Sequence, residues 1–483
     1  MVDLDWKSKM VSSDVPSTSP KLSNKLRISV PSPVQAVQIS PASSSSCSLY
    51  EHYFRIPELS KLWTARDFPN WKNEPLMKPA LQALEITFRL ISVVQADPRP
   101  YANGFQWKRR LESLALNQID LIALLFEDGE ETAETRGTTP IVDVSTSNGV
   151  LARDGSFVEV WKLPGATTVV NRISDGSLLP KLNTWQKSED MASKILFSIE
   201  CAMRRCPFTL GLGEPNLAGK PLLEYDLICR PSDLHTLKKS PSDQRSLDNN
   251  ENHALFTIHQ ILESWIRASQ ELHARIVERI DGQDFGKAAS DCWLLERIWK
   301  LFAEIEDLHL LMDPGDFLRL KNQLAIKSSS ESDAFCFRSK GLIEITKASK
   351  DLNHKVPAIL AVEVDPKGGP RIQEAAMKLY HGHRDGDCGR IHLLQALQAI
   401  ESALKRFFFS YRQLIMILMG SLEVKGNRGM VSADSTDALS QIFLEPTYFP
   451  SLDAAKTFLG DFLRYDLGTV SANGSNGRVR TKH

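Results

Sequence analysis

The residues with the clearest chemical potential are His259 and Glu263, four apart in ENHALFTIHQILESWIRASQELHARI. On a helix that spacing puts an imidazole and a carboxylate one turn apart on one face, where they can share a proton or a ligand. The plainer alternative is an i,i+4 pair whose histidine is hydrogen-bonded in a core. His381 and His383, in HGHRDGDCG, have the spacing of a metal pair. No third ligand is fixed near them, and two histidines in a Gly-rich loop read as solvated side chains. Gly219-Lys220 looks like the end of a phosphate-binding loop, which needs Gly, four residues, then Gly-Lys-Ser/Thr so that backbone N–H groups wrap the phosphates. Here Gly213 lies one residue too far upstream and Pro221 replaces the hydroxyl residue, which excludes a nucleotide site of that kind.

The elements that must position these residues are helical. Leu255, Ile258, Leu262, Trp265, Leu272 and Ile276 draw one apolar stripe, with His259 and Glu263 on its edge. The stretch from Trp293 to Met312 is apolar enough to be buried on most sides, and Asp313-Pro314 then reads as N-cap and first residue of a further helix. A last long helix runs from Ile391 to about Met419. Its seam is Leu393, Leu397, Ile400, Leu404, Phe407, Tyr411, Leu414 and Leu418, which puts Tyr411 inside and Arg412 beside it. Upstream, EPLMKPALQALEITFRLISVVQ and WKRRLESLALNQIDLIALLFED each carry an apolar face with Arg and Lys opposite, and SEDMASKILFSIECAMRR returns to helix. Val158–Ile173, β-branched around Pro164-Gly165, reads as a hairpin.

The predicted fold is therefore mainly α. Its parts are a disordered Ser/Pro-rich tail over 1–48, a helical N-terminal domain with a short β-hairpin over 49–205, an all-helical C-terminal bundle over 206–465, and a polar tail over 466–483. Within the first tail Trp6 is an aromatic that could anchor a partner. Ser-Pro pairs at Ser19, Ser32, Ser40 and Ser240 are candidate phosphorylation sites.

The 483 residues carry 58 Lys plus Arg against 59 Asp plus Glu, a formal charge of −1 that argues against broad nucleic-acid binding. Seven cysteines are scattered without a CxxC, which suggests neither a disulfide framework nor a zinc site and fits a reducing compartment. No run of about twenty apolar residues marks a membrane span, and the N-terminus lacks the apolar core of a secretory signal. A cytoplasmic location is the expectation.

Several blocks resemble a known family. MVDLDWKSKMVSS, FPNWKNEPLMKPALQALEITFRL, GLGEPNLAGKP, KGLIEITKASKDLNHKVP and IFLEPTYFPSLDAAKTFLGD are similar to the plant nematode-resistance HSPRO proteins, over nearly the whole chain. The resemblance implies a cytoplasmic plant regulator of basal defence. It also implies contact with a regulatory subunit of the energy-sensing sucrose-non-fermenting-related kinase, and it supplies no catalytic residues.

A remoter resemblance covers roughly residues 250–430. ALFTIHQILESW, LLERIWKLFAEIEDLHLLMDPGDFLRLKNQL and SYRQLIMILMGSLEVKGNRG are similar to the haem-flanking helices of tryptophan and indoleamine dioxygenases. The departures decide what this implies. Where those enzymes hold iron with histidine, Tyr411 or Arg412 stands, depending on whether Gly420 or the Phe-Ser-Tyr run sets the register. A protonated Arg cannot ligate iron, whereas Tyr can ligate ferric haem. Their substrate-clamping Arg is matched by Gly341, with Arg338 one turn upstream, and their closing turn by Gly426-Asn427-Arg428-Gly429. The expectation is a pseudoenzyme without cofactor, metal or catalytic residues. It keeps a vestigial pocket of His259, Glu263, Arg338, Tyr411 and Arg412 on a dioxygenase-like fold. The alternative is a haem- or indole-binding enzyme or sensor using Tyr411 and His259.

Overall fold

The computed structural model describes residues 44–127 (except 70, 99–100 and 102), 174–238 (except 217–219 and 221), 251–324, 338–363, 371–382, 387–419 and 442–460. Trp6, the Ser-Pro pairs, the expected hairpin, His383, Gly420 and the 426–429 turn lie outside them. Among the described residues the secondary structure is helical, with no strand, and one isolated parallel bridge joins Thr209 and Leu222. The mainly α expectation holds. No described helix is long and apolar enough to cross a membrane.

Among the described residues, nine helices run up to and include the one that carries the His–Glu pair: α1 (Ser44–Tyr53), α2 (Ile56–Thr64), α3 (Glu74–Ala96), α4 (Gly104–Glu127), α5 (Leu178–Leu182), α6 (Glu189–Ala202), α7 (Tyr225–Cys229), α8 (Pro231–Thr236) and α9 (Glu251–Asp281). After it come α10 (Phe285–Glu306), α11 (Pro314–Gln323), α12 (Lys340–Asp351), α13 (Val356–Ile359), α14 (Arg371–His381) and α15 (Cys388–Met419). Helix α1 begins at Ser44, inside the stretch expected to be tail.

The most extensive pairings are α10 with α15, α3 with α9, and α9 with α10. All eight residues of the α15 seam are buried, as their alternating spacing requires. Asp291 on α10 is wholly buried and holds Arg275 and Arg279 of α9, the latter at 2.8 Å, so an ion cluster fixes the register of this helix pair. Asp284 caps α10 by accepting from the Lys287 amide, and Asp313 accepts from the Gly315 amide at 2.8 Å where α11 begins. Trp293, expected inside, faces solvent on α10.

The expectation for α3 needs correction. Its Lys and Arg are expected on a solvent face, yet Lys78, Gln82, Glu85 and Arg89 are all buried. Their spacing of four, three and four makes a second stripe, covered by residues 225–236 and by α9, and every member finds a polar partner. Lys78 Nζ reaches the Ala65 carbonyl at 2.7 Å and Asp67, and Gln82 donates to the Cys229 carbonyl at 3.2 Å. Arg89 donates to Gln260 Oε1 at 2.7 Å and to the Leu234 carbonyl at 3.0 Å. Each residue makes at least one such bond, which offsets much of the cost of burial, although Gln82 Oε1 and Arg89 Nε make none.

Candidate functional site

His259 and Glu263 both project from the buried side of α9. His259 Nδ1–H donates to the Leu255 carbonyl at 2.9 Å, which fixes the ring within its own helix. Phe54, just past the end of α1, lies flat on that ring, 4.1 Å between centroids and 6° from parallel. Tyr50 meets it edge-on at 5.9 Å, and the His309 ring is tilted 49° to it at 5.2 Å. Burial, with the neighbouring His309 adding to it, pushes the imidazole down to about 4, so it is neutral near pH 7.

Glu263 Oε1 accepts from the Tyr50 hydroxyl at 2.9 Å, and the Ser339 side chain bonds the same carboxylate. Burial pushes its carboxyl up to about 7, the two hydroxyls pull it back, and Glu51 and Glu306 push it further up. Burial and the carboxylate of Glu263 hold the Tyr50 phenol well above its ordinary range. Ser339 also caps α12, because its Oγ accepts from the Leu342 amide at 3.0 Å.

The remaining expected residues divide. Tyr411 is buried, stacks on Phe407 at 6.1 Å, and stands near enough to Tyr50 to raise its phenol further. Arg338 is buried immediately before the Ser339 cap. Arg412 sits about 100° round the helix from Tyr411, half-buried, with Nη1 3.5 Å from Met416 Sδ. His259, Glu263 and Tyr411 are therefore gathered around Tyr50, and Arg412 points elsewhere. Gly341 marks the close approach of α12 to α9: a Cβ there would lie 2.7 Å from Ile266 Cγ2 and 3.6 Å from Glu263 Oε2. No larger side chain fits that position as the helices stand.

Sequence reasoning missed four members of this cluster, Tyr50, Phe54, His309 and Ser339. Tyr50 and Phe54 lie on or just past a helix that begins in the Ser-rich stretch, with nothing nearby to signal burial. His309 is 1% exposed, with its Nδ1 2.9 Å from Glu306 Oε2 but out of line, so neither ring nitrogen makes a hydrogen bond. A second buried polar centre was missed too. Glu85 accepts from the Ser177 hydroxyl at 2.6 Å, the Leu178 amide at 2.9 Å and the Tyr225 hydroxyl at 3.2 Å, and lies 3.1 Å from His235 Nε2. The period-matched polar stripe of α3 was the available signal.

The rejected phosphate-loop lysine has a structural role. Lys220 Nζ donates to the carbonyls of Met203 at 2.9 Å, Cys206 at 2.7 Å and Arg204, closing the end of the 203–205 turn. Burial lowers its ammonium below the ordinary lysine range. His381 is exposed, and among the described residues no group of three or more His, Cys, Asp or Glu side chains is placed to hold a metal ion.

Comparison with known proteins covers nearly the full length of the chain. Residues 1–200 match the family described as Hs1pro-1 N-terminus, and residues 203–465 match Hs1pro-1 protein C-terminus. The chain is 56% identical over 466 residues to "Nematode resistance protein-like HSPRO2" of Arabidopsis thaliana, covering 96% of this chain and 99% of that one. It is 51% identical over 462 residues to "Nematode resistance protein-like HSPRO1" of the same plant, covering 96% and 99%. No solved structure matches. Matched in both halves by one family, and along almost its entire length by relatives sharing more than half its residues, the chain belongs to the Hs1pro-1 family of nematode-resistance HSPRO proteins.

Proposed function

We propose that the chain is a non-catalytic regulator of plant basal defence that works in the cytoplasm by binding other proteins. Its proposed partner is a regulatory subunit of the sucrose-non-fermenting-related kinase, which the HSPRO resemblance implies. The defence role rests on the relatives, both named as nematode resistance protein-like.

The observation that carries the non-catalytic reading is Phe54 lying flat on His259 at 4.1 Å. A histidine serving substrate or oxygen above a haem needs an open face. Here one face carries the ring of a residue just past the chain's first described helix, with Tyr50 edge-on and His309 tilted against the imidazole. Gly341 adds to this, since a carboxylate-clamping side chain would collide with Ile266. The residues present do not fit haem, and Tyr411 is accounted for as a core aromatic on the α15 seam.

Two measurements on the full chain test the reading. Co-purification with the recombinant kinase regulatory subunit is expected to give a stable complex, retained by Tyr411→Phe. Titration with ferric haem is expected to give only the broad spectrum of free haem. Absence of the complex sinks the partner assignment. A saturable Soret band that collapses in Tyr411→Phe sinks the non-catalytic assignment and makes indole oxidation the next assay.

A further inference from the structure

Among the described residues, the outer side of α15, away from its buried seam, is covered over only part of its length. Residues 442–460 pack along the upstream part. Gln398 donates to Asp453 Oδ1 at 2.6 Å, Glu401 Oε1 accepts from the Tyr448 amide at 3.0 Å, and Lys405 Nζ reaches the Glu445 carbonyl at 3.0 Å. This covering chain is itself helical from 450 to 460. The cover ends at Phe443, whose ring meets Phe409 edge-on at 5.4 Å. Beyond that contact Phe409, Met416 and Ile417 stand exposed on α15, the last at 68%, and Leu444 beside Phe443 at 70%. Spacings of seven and one keep the three α15 side chains within about 100° of arc, so they form one stripe. A contiguous exposed apolar patch of this kind marks an interaction surface.

The charges around the stripe select what covers it. From Ser402 to Leu418 the charged residues are Lys405, Arg406 and Arg412, with no carboxylate among them. Lys405 is held by Glu401 at 2.7 Å. Arg406 is exposed within the arc of the stripe, and no carboxylate of the described residues pairs with it. Arg412 flanks the stripe, its Nη1 3.5 Å from Met416 Sδ. A second copy of the chain laid face to face would set these arginines against one another, and like charges oppose docking. Carboxylates beside an apolar stripe would answer both features at once. A helix presents that pattern, and residues 450–460 already pack beside Gln398 in this way. We infer that the second half of α15 docks an acidic amphipathic helix of a partner protein. This rests on the reading of the chain as a protein-binding regulator, but not on which partner it binds.

The probes are two synthetic amphipathic helices with the same leucine stripe, flanked in one by glutamates and in the other by lysines. Fluorescence anisotropy with the full chain should show saturable binding of the glutamate helix, weakened by salt, and none of the lysine helix. Ile417→Asp and Arg406→Glu, both at exposed positions, should each weaken binding roughly tenfold with an unchanged circular dichroism spectrum. Either variant carries the test if the other does not fold. Equal binding of both helices, binding of neither, or unchanged affinity in the folded variants overturns the inference. So does a wild-type dimer in sedimentation that Ile417→Asp dissociates, or flotation with phosphatidylserine vesicles without peptide binding. Peptide failure beside a stable kinase-subunit complex sinks this surface alone, and peptide binding without that complex sinks only the kinase partner.

Discussion

The Tyr50 hydroxyl donates to Glu263 Oε1 at 2.9 Å, joining the first described helix to a carboxylate 213 residues further along the chain. With Phe54 stacked on His259 one turn later, α1 docks by polar and aromatic contacts to the same face of α9. Tyr50→Phe keeps the ring and deletes the bond. Urea denaturation should show a loss of about 1.5–3 kcal/mol, the range for hydrogen bonds to charged groups. An unchanged midpoint would mean the bond contributes nothing.

Stability should depend on pH through opposing groups. Glu263 is pushed up to about 7 from 4.5, so the folded state binds more protons between those values, and this contribution falls as pH rises through the window. His259 and His273 are pushed down to about 4 from 6.5 by burial, so their contributions fall as pH drops from 6.5 toward 4. Glu263→Gln removes the group that resists acidification. The variant should lose more stability than the wild type between pH 7 and 4.5, by on the order of 3 kcal/mol. Parallel stability curves for the two proteins would show that the carboxyl titrates normally.

Gly341→Ala would place a methyl group 2.7 Å from Ile266 Cγ2 and force α12 away from α9. Overpacking of this kind costs about 1–3 kcal/mol. Because the collision is with one side chain, Ile266→Ala should relieve it. A double-mutant cycle should give a coupling that offsets part of the two separate losses, whereas strict additivity would place the strain elsewhere.

Lys220→Met leaves the carbonyls of Met203, Arg204 and Cys206 without their common donor. The Met203 carbonyl keeps the Cys206 amide at 3.0 Å, but an acceptor left stranded where water cannot reach it costs about 1–3 kcal/mol. The midpoint of thermal unfolding should therefore drop, and added ATP should shift neither wild type nor variant. A nucleotide-dependent shift in the wild type alone would restore a ligand-binding role to this lysine.

How much of this was legible depended on whether the signal was local. Period alone identifies the buried face of a helix, so the α15 seam and the α9 stripe were readable, and Asp313-Pro314 marked the start of α11 by cap chemistry. His259 and Glu263 could be placed on one face because four residues make one turn. Their partners could not be found this way, since Tyr50, Phe54 and Ser339 reach the site across long separations that carry no periodic trace. The α3 stripe was visible but misread: Lys78 and Arg89 look like solvent-facing residues until residues 225–236 fold over them. Charged residues at helical spacing show a face, and only tertiary structure shows what covers it.

The near-complete burial of α3 bears on how the protein is made. Eighteen of its 23 residues are buried, largely against α9, which is not complete until Asp281. At about 5–20 residues per second, the ribosome needs roughly ten to forty seconds to pass from Ala96 to Asp281. Throughout that interval the apolar surface of α3 lacks its main partner. The nascent chain is therefore a natural client for holding chaperones, and heat or heavy translation load should limit its yield before they unfold the finished molecule.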